Sequence, residues 1–176
     1  MNKQWSFVLL VLLCCSTLSY AQFDGGNEGK NTFKPYKAPD FELVDMNGQF
    51  HKLSAYQGKV VYVEFWATWC GACMKRMKDV NKLKKQFEGN QNVVFIQVST
   101  DKDKTRWENF MKERNPTGIQ LFSDNGKMSN VRVNYNVRYL PTIFLLDSKG
   151  DVALDPSIID TYDIDHEIED LLKEMK

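Results

Sequence analysis

The stretch from residue 59 to residue 87 constrains this chain most. Lys59 to Trp66 (KVVYVEFW) is β-branched and aromatic almost throughout, interrupted by the acid Glu64. Such a run reads as a buried strand. Four residues past its end stands Cys70-Gly71-Ala72-Cys73. Beyond that, Met74, Met77, Val80, Leu83 and Phe87 recur at spacings of three and four. This spacing predicts an amphipathic helix, stopped by Gly89. A buried strand, a short turn and a helix opened by two cysteines leave few folds available. They also narrow the chemistry. Cys70 falls at the helix N-terminus, where unpaired N–H groups and the helix dipole favour a thiolate. Cys73, one turn along, can close a ring with it. Two cysteines could instead be half of a zinc site, but a structural site needs four ligands. The two histidines, His51 and His166, are far from the pair in sequence. An inert disulfide is a further alternative, although so small a loop adds little stability. Redox chemistry without a metal or other cofactor is the expectation.

The beginning of the chain says where that chemistry would happen. Lys3 precedes Phe7 to Cys15 (FVLLVLLCC), nine apolar residues, and Ser19-Tyr20-Ala21 offers small residues before Gln22. A spanning helix needs about 20 apolar residues, so this run is short. Charge, apolar run and small residues form the pattern of a cleaved secretory signal peptide over residues 1–21. An uncleaved anchor is the other reading; lipidation at Cys14 or Cys15 lacks the small residues that should precede it. Cleavage after Ala21 leaves 155 residues with 22 cations against 23 acids, and Cys70 and Cys73 as the remaining cysteines. The protein is expected in the periplasm or otherwise outside the cytoplasm, with no stable membrane insertion after cleavage. Thiols tend to pair in such a compartment.

Residues 22–37 hold three glycines and few apolar side chains, and read as a flexible lead-in. A single domain is expected over 38–176. Asn47-Gly48 between two short runs, 41–44 and 49–53, signals a hairpin. Val93 to Val98 reads as a second buried strand. Asp103 can cap a helix carrying Trp107, Phe110 and Met111 that stops before Asn115-Pro116. Thr142 to Leu146 (TIFLL) and Asp151 to Leu154 read as strands joined by a turn at 148–150. Ile164, Ile168, Leu171, Leu172 and Met175 form one apolar stripe of a last helix. Strands alternating with helices imply an α/β layer fold. Formal charge is zero over the whole chain, 23 cations to 23 acids, which argues against a nucleic-acid partner.

Phe65-Trp66-Ala67-Thr68-Trp69-Cys70-Gly71-Ala72-Cys73 resembles the active-site segment of the thioredoxin superfamily. Ala38-Pro39-Asp40-Phe41, the Asn47-Gly48 hairpin and Gly58-Lys59-Val60-Val61 are similar to the secreted TlpA/ResA-like branch. Leu140-Pro141-Thr142 resembles that fold's cis-proline loop. The resemblance implies a central mixed sheet flanked by helices with an N-terminal β-hairpin extension. It implies Cys70 as the attacking cysteine and Cys73 as the resolving one. It implies Pro141 as the cis-proline beside the disulfide, Leu140 as backbone for a bound substrate strand, and Trp69 as the exposed tryptophan next to the nucleophile.

Glu64, six residues before Cys70, matches a position where thioredoxins hold a buried acid. Burial would raise its pKa and let it accept the proton of Cys73. A solvated, outward-facing Glu64 is the other reading, and strand alternation, which groups it with Tyr62 and Trp66, does not choose between them. The implied activity is thiol–disulfide exchange, most simply reduction of disulfides in exported proteins, with a membrane thiol as electron donor. A thiol peroxidase is an alternative, but the proline and threonine of a peroxidatic motif are replaced by Val63 and Ala67. A partner-binding module without turnover is another. The Gly-Ala between the cysteines differs from the Gly-Pro of thioredoxin, and Asp155-Pro156-Ser157 stands where thioredoxins have a glycine. Direction of electron flow and substrate choice therefore do not follow from the resemblance.

Overall fold

The computed structural model describes residues 33–123, 130–157, 159 and 163–175. The signal-peptide reading of 1–21 and most of the lead-in lie outside these residues. Among the described residues eight strands form one sheet: β1 (Tyr36–Lys37), β2 (Glu42–Val44), β3 (Phe50–Lys52), β4 (Val60–Trp66), β5 (Val93–Ser99), β6 (Ile119–Phe122), β7 (Thr142–Leu146) and β8 (Asp151–Val152). Four α-helices accompany them among the described residues: α1 (Gly71–Gln86), α2 (Lys104–Arg114), α3 (Val131–Asn134) and α4 (Ile164–Glu174). The strand order is β1-β8-β7-β4-β5-β6-β2-β3. β4, β5 and β6 run parallel, while β7 pairs antiparallel with β4. The mixed sheet flanked by helices is the expected architecture.

β4 is buried along its whole length, which is why it reads as a continuous apolar run rather than an alternating one. Val61, Val63 and Phe65 pack with Phe41, Leu53, Val131, Tyr135 and Phe144. Val60 and Tyr62 turn to Val80 of α1, to its C-cap Phe87 and to Ile164 and Ile168 of α4. Trp66 joins Trp107 and Met111 of α2 and Phe122 of β6 in a third cluster, which also contains Cys70 and Cys73. The three groups of side chains occupy both faces of one strand, so β4 is the spine on which the motif is mounted.

The hairpin forms as expected. The Asp45 side chain accepts from the N–H groups of Asn47 (2.8 Å) and Gln49 (2.9 Å), and Gly48 takes a φ of 80°. A side chain at that φ would be strained, so glycine suits the turn. β2 also pairs with β6, which makes the hairpin the end of the main sheet. Asp103 caps α2 by accepting from Arg106 N at 3.2 Å, and the left-handed Asn115 (φ 41°) ends it before Pro116.

One expectation needs correction, and two elements add to the reading. The lead-in does not extend to residue 37: Tyr36 and Lys37 pair with Val152 and Asp151, Lys37 also bridges Asp151 at 3.1 Å, and Phe33 packs against the core. Glycine-rich sequence upstream hid a two-residue strand whose partner lies more than a hundred residues away. The strand β6 and the short helix α3 were not foreseen. Ile119-Gln120-Leu121-Phe122 is four residues long with a polar one inside, too little for a period to show.

Candidate active site

β4 delivers the motif and a loop holds it. Backbone pairing with β5 runs to the last residue of β4, Trp66 with Ser99, and Thr100 N donates to Trp66 O at 2.8 Å. Thr68, in the loop, donates from its backbone N–H to Asp101 Oδ2 (2.9 Å) and from its hydroxyl to Asp101 Oδ1 (2.7 Å). Ser99 adds a third donor to Asp101 at 2.7 Å. Asp101 is 1% exposed, so this carboxyl, supplied with donors, clamps the loop to the end of β5. The next residue, Trp69, projects outward, 57% exposed.

Cys70 is the N-cap of α1, with extended backbone and a side chain that accepts from the Cys73 N–H at 3.1 Å. An Sγ at this place satisfies one of the helix's first free donors and meets the positive end of its dipole. The two sulfurs are joined as a disulfide with Cα atoms 5.2 Å apart. Both cysteines are buried, and α1 itself spaces them by one turn. The structure therefore brings Cys70 and Cys73 together as anticipated.

The peptide between Leu140 and Pro141 is cis. Leu140 packs on the cluster that contains both cysteines, so the loop before β7 meets the motif. The Thr142 hydroxyl donates to Tyr139 O at 2.6 Å and braces that loop. Tyr139 is exposed, as Trp69 is.

Glu64 is 2% exposed, which excludes the solvated alternative. Gln97, its partner across the β4–β5 ladder, donates from Nε2 to Glu64 Oε2 at 2.8 Å. The Gln97 Oε1 accepts from Lys84 Nζ of α1 and from Gln120 Nε2 of β6. Lys84 donates further to Thr117 O at 2.6 Å. Burial pushes the Lys84 amine down to about 8, against the opposing pull of the Glu64 charge.

The sequence profile of the AhpC/TSA family matches residues 36–154, from β1 to just past β8. The chain belongs to the AhpC/TSA family. Among related proteins, the thiol-disulfide oxidoreductase ResA of Geobacillus kaustophilus is 36% identical over 115 residues, covering 65% of this chain and 64% of that one. ResA of Geobacillus thermodenitrificans is 35% identical over 156 residues, covering 86% of this chain and 87% of that one. A crystal structure from Chlorobium tepidum, assigned as thiol:disulfide interchange protein DsbE, superposes with a TM-score of 0.64. Its sequence identity is 27%, over 81% of this chain and 97% of that one. The family and these likenesses make the chain a thiol–disulfide oxidoreductase with a thioredoxin-like fold.

Asp101, Gln97 and Lys84 escaped the sequence reading. Asp101 follows a strand end, where an acid is unremarked. Lys84 did leave a trace: it lies four residues after Val80, on the apolar stripe of α1. A cation there must either reach water or find buried partners. Among the described residues, no helix is long and apolar enough to cross a membrane. Asp163, Asp165 and His166 cluster at the start of α4 with potential ligand atoms within 4.8 Å of one another. Acids there suit the helix dipole without any metal.

Proposed function

We propose that this family member is exported and reduces disulfides of specific exported proteins, recharged by a membrane thiol donor. The observation that supports the reading most is Cys70 as a helix N-cap whose sulfur already accepts an N–H. The same contacts favour its thiolate once the disulfide is reduced. Cys70 Sγ⁻ attacks one sulfur of the target disulfide, and the other target sulfur leaves as thiolate. The Cys73 thiol then gives its proton to Glu64, attacks Cys70 Sγ and expels the second target thiolate. Two electrons pass to the target and the Cys70–Cys73 disulfide remains. A membrane dithiol returns two electrons to it.

In this reading Trp69 and the Leu140–Pro141 loop receive the target strand, Leu140 through its backbone in the manner of strand addition. Glu64 acts as general base from a buried position. No further cofactor enters the scheme.

The reduction potential of the Cys70–Cys73 pair tests the direction. A value near roughly −270 mV or below supports a reductase, and one near roughly −120 mV overturns it in favour of an oxidant. Cys73→Ser should accumulate mixed disulfides with exported proteins; a variant that traps none counts against the substrate class. Peroxide consumption with an artificial dithiol separates the peroxidase alternative. That alternative is disfavoured by Val63 and Ala67, apolar and fully buried where a peroxidatic site carries proline and threonine.

A further inference from the structure

The site just described uses Glu64 but not the polar chain behind it. Three side chains from three elements converge on one carboxamide. Gln97 Oε1 takes the Lys84 ammonium from α1 and the Gln120 Nε2, at 2.7 Å, from β6, while Gln97 Nε2 donates to Glu64. An ammonium can only donate. Turning the Gln97 amide over would set N–H against ammonium on one side and oxygen against carboxylate on the other. The amide therefore has one acceptable orientation as long as Lys84 is charged and in place. Lys84 is placed by geometry too. Thr117 O holds it, and Gly118 lets it pass: a Cβ there would lie 3.2 Å from Nζ and 3.2 Å from Phe95 O.

We propose that Lys84, acting through Gln97, is a positioning residue for Glu64: it locks the Gln97 carboxamide so that Glu64 always meets an N–H donor. An N–H donor and a nearby cation both favour the carboxylate. That is the form able to take a proton from Cys73. Lys84 offsets the burial that would otherwise keep Glu64 neutral and idle. The lock loosens when Lys84 loses its proton, since a neutral amine accepts as well as donates and Gln120 Nε2 is then left as the fixed donor to Gln97 Oε1. The charged groups near the chain's outer end are Lys85, Glu88 and Arg114, which with Lys84 line a cleft of about 660 Å³. From the sheet, the ladder neighbours of Glu64 are Gln97 and Ile143, both uncharged.

The inference rests on Glu64 as the base of the resolving step, and the test separates the two. The Glu64 carboxyl carbon of the reduced protein is followed by NMR against pH, beside the rate of mixed-disulfide resolution. In the unaltered protein the carboxyl signal should show a second inflection near pH 8, where Lys84 titrates. In Lys84→Met the main inflection should move up by about one pH unit, and resolution below it should slow about tenfold. Lys84→Arg should restore most of both. A Glu64 carboxyl signal that ignores the Lys84 titration in the unaltered protein overturns the proposal without needing any variant to fold. So does an unmoved inflection in Lys84→Met. Normal resolution in Glu64→Gln would instead refute the base assignment, whatever the carboxyl titration shows.

Discussion

The end of β4 and its middle are built in opposite ways. At the end, Trp69 stands in solvent and Cys70 caps a helix on a loop tied down by Asp101. In the middle, two residues before Trp66, Glu64 is closed among Gln97, Lys84 and the sheet. The rim is mostly local: strand end, turn and helix start are contiguous within 66–73, with Asp101 and Leu140 meeting them from outside. The interior is assembled from four elements, β4, β5, β6 and α1, whose residues are scattered from 64 to 120. A reactive rim needs access and a low-pKa sulfur. A base for a buried thiol needs shelter from water and something to keep it charged. One strand can serve both because its buried length shelters Glu64, while its direction carries the motif outward to the exposed Trp69.

Substitutions can break this comparison. The largest effect should come at the rim. Cys70→Ser should remove disulfide reduction by at least about a thousandfold, since the hydroxyl is a far weaker nucleophile than a thiolate. Turnover that survives it would move the nucleophile elsewhere.

In the interior, Lys84 should mark stability as well as the resolving step. Folded Lys84 releases its proton near 8, against 10.5 ordinarily. Between those values the unfolded chain binds more protons, so stability rises with pH across the window and is lost as pH falls through 8. Relative to Lys84→Met, the unaltered protein should gain up to about 3 kcal/mol from pH 8 to 10.5. Urea unfolding of both proteins at the two ends of the window measures it, and a constant difference would mean that Lys84 is not held as described.

Glu64→Gln should slow resolution by about a hundredfold and leave the first attack by Cys70 intact. Single-turnover kinetics with a trapped intermediate would show whether one step or both respond. An equal loss in both steps would erase the division between rim and interior.

Asp101→Ala, at the junction of the two regions, should cost about 2 kcal/mol of stability by orphaning the Thr68 and Ser99 donors. It should also loosen the Trp69–Cys70 loop, measurable as faster amide exchange at Thr68. Unchanged exchange would mean that α1 alone holds the loop.

The rim was legible because its signals are short-range. Six β-branched and aromatic residues within 59–66, a turn, two cysteines and an i, i+3, i+4 stripe stand in one window. Pro141 and Leu140 needed the family resemblance, for nothing in their own neighbourhood ties them to Cys70. Glu64 could be named but not placed: alternation assigns a face, and whether that face is wet depends on which helices cover it. Asp101 and Gln97 were not legible at all, and Lys84 showed only as a cation on the apolar stripe of α1. Each is an ordinary polar residue until a partner 13 or 33 positions away meets it. The strand β1 failed for the same reason, its partner being β8.

By itself, then, the sequence determined the strand–motif–helix unit, the hairpin, the helix caps and the pairing of Cys70 with Cys73. These follow from steric preference, hydrogen-bond capping and spacing along a few neighbouring residues. Only the tertiary structure decided that Glu64 is dry, that Lys84 is buried beside it, and that Asp101 clamps the loop. Such facts depend on the packing of parallel strands joined by long crossovers, which brings distant residues within hydrogen-bond range and leaves no periodic trace in the chain.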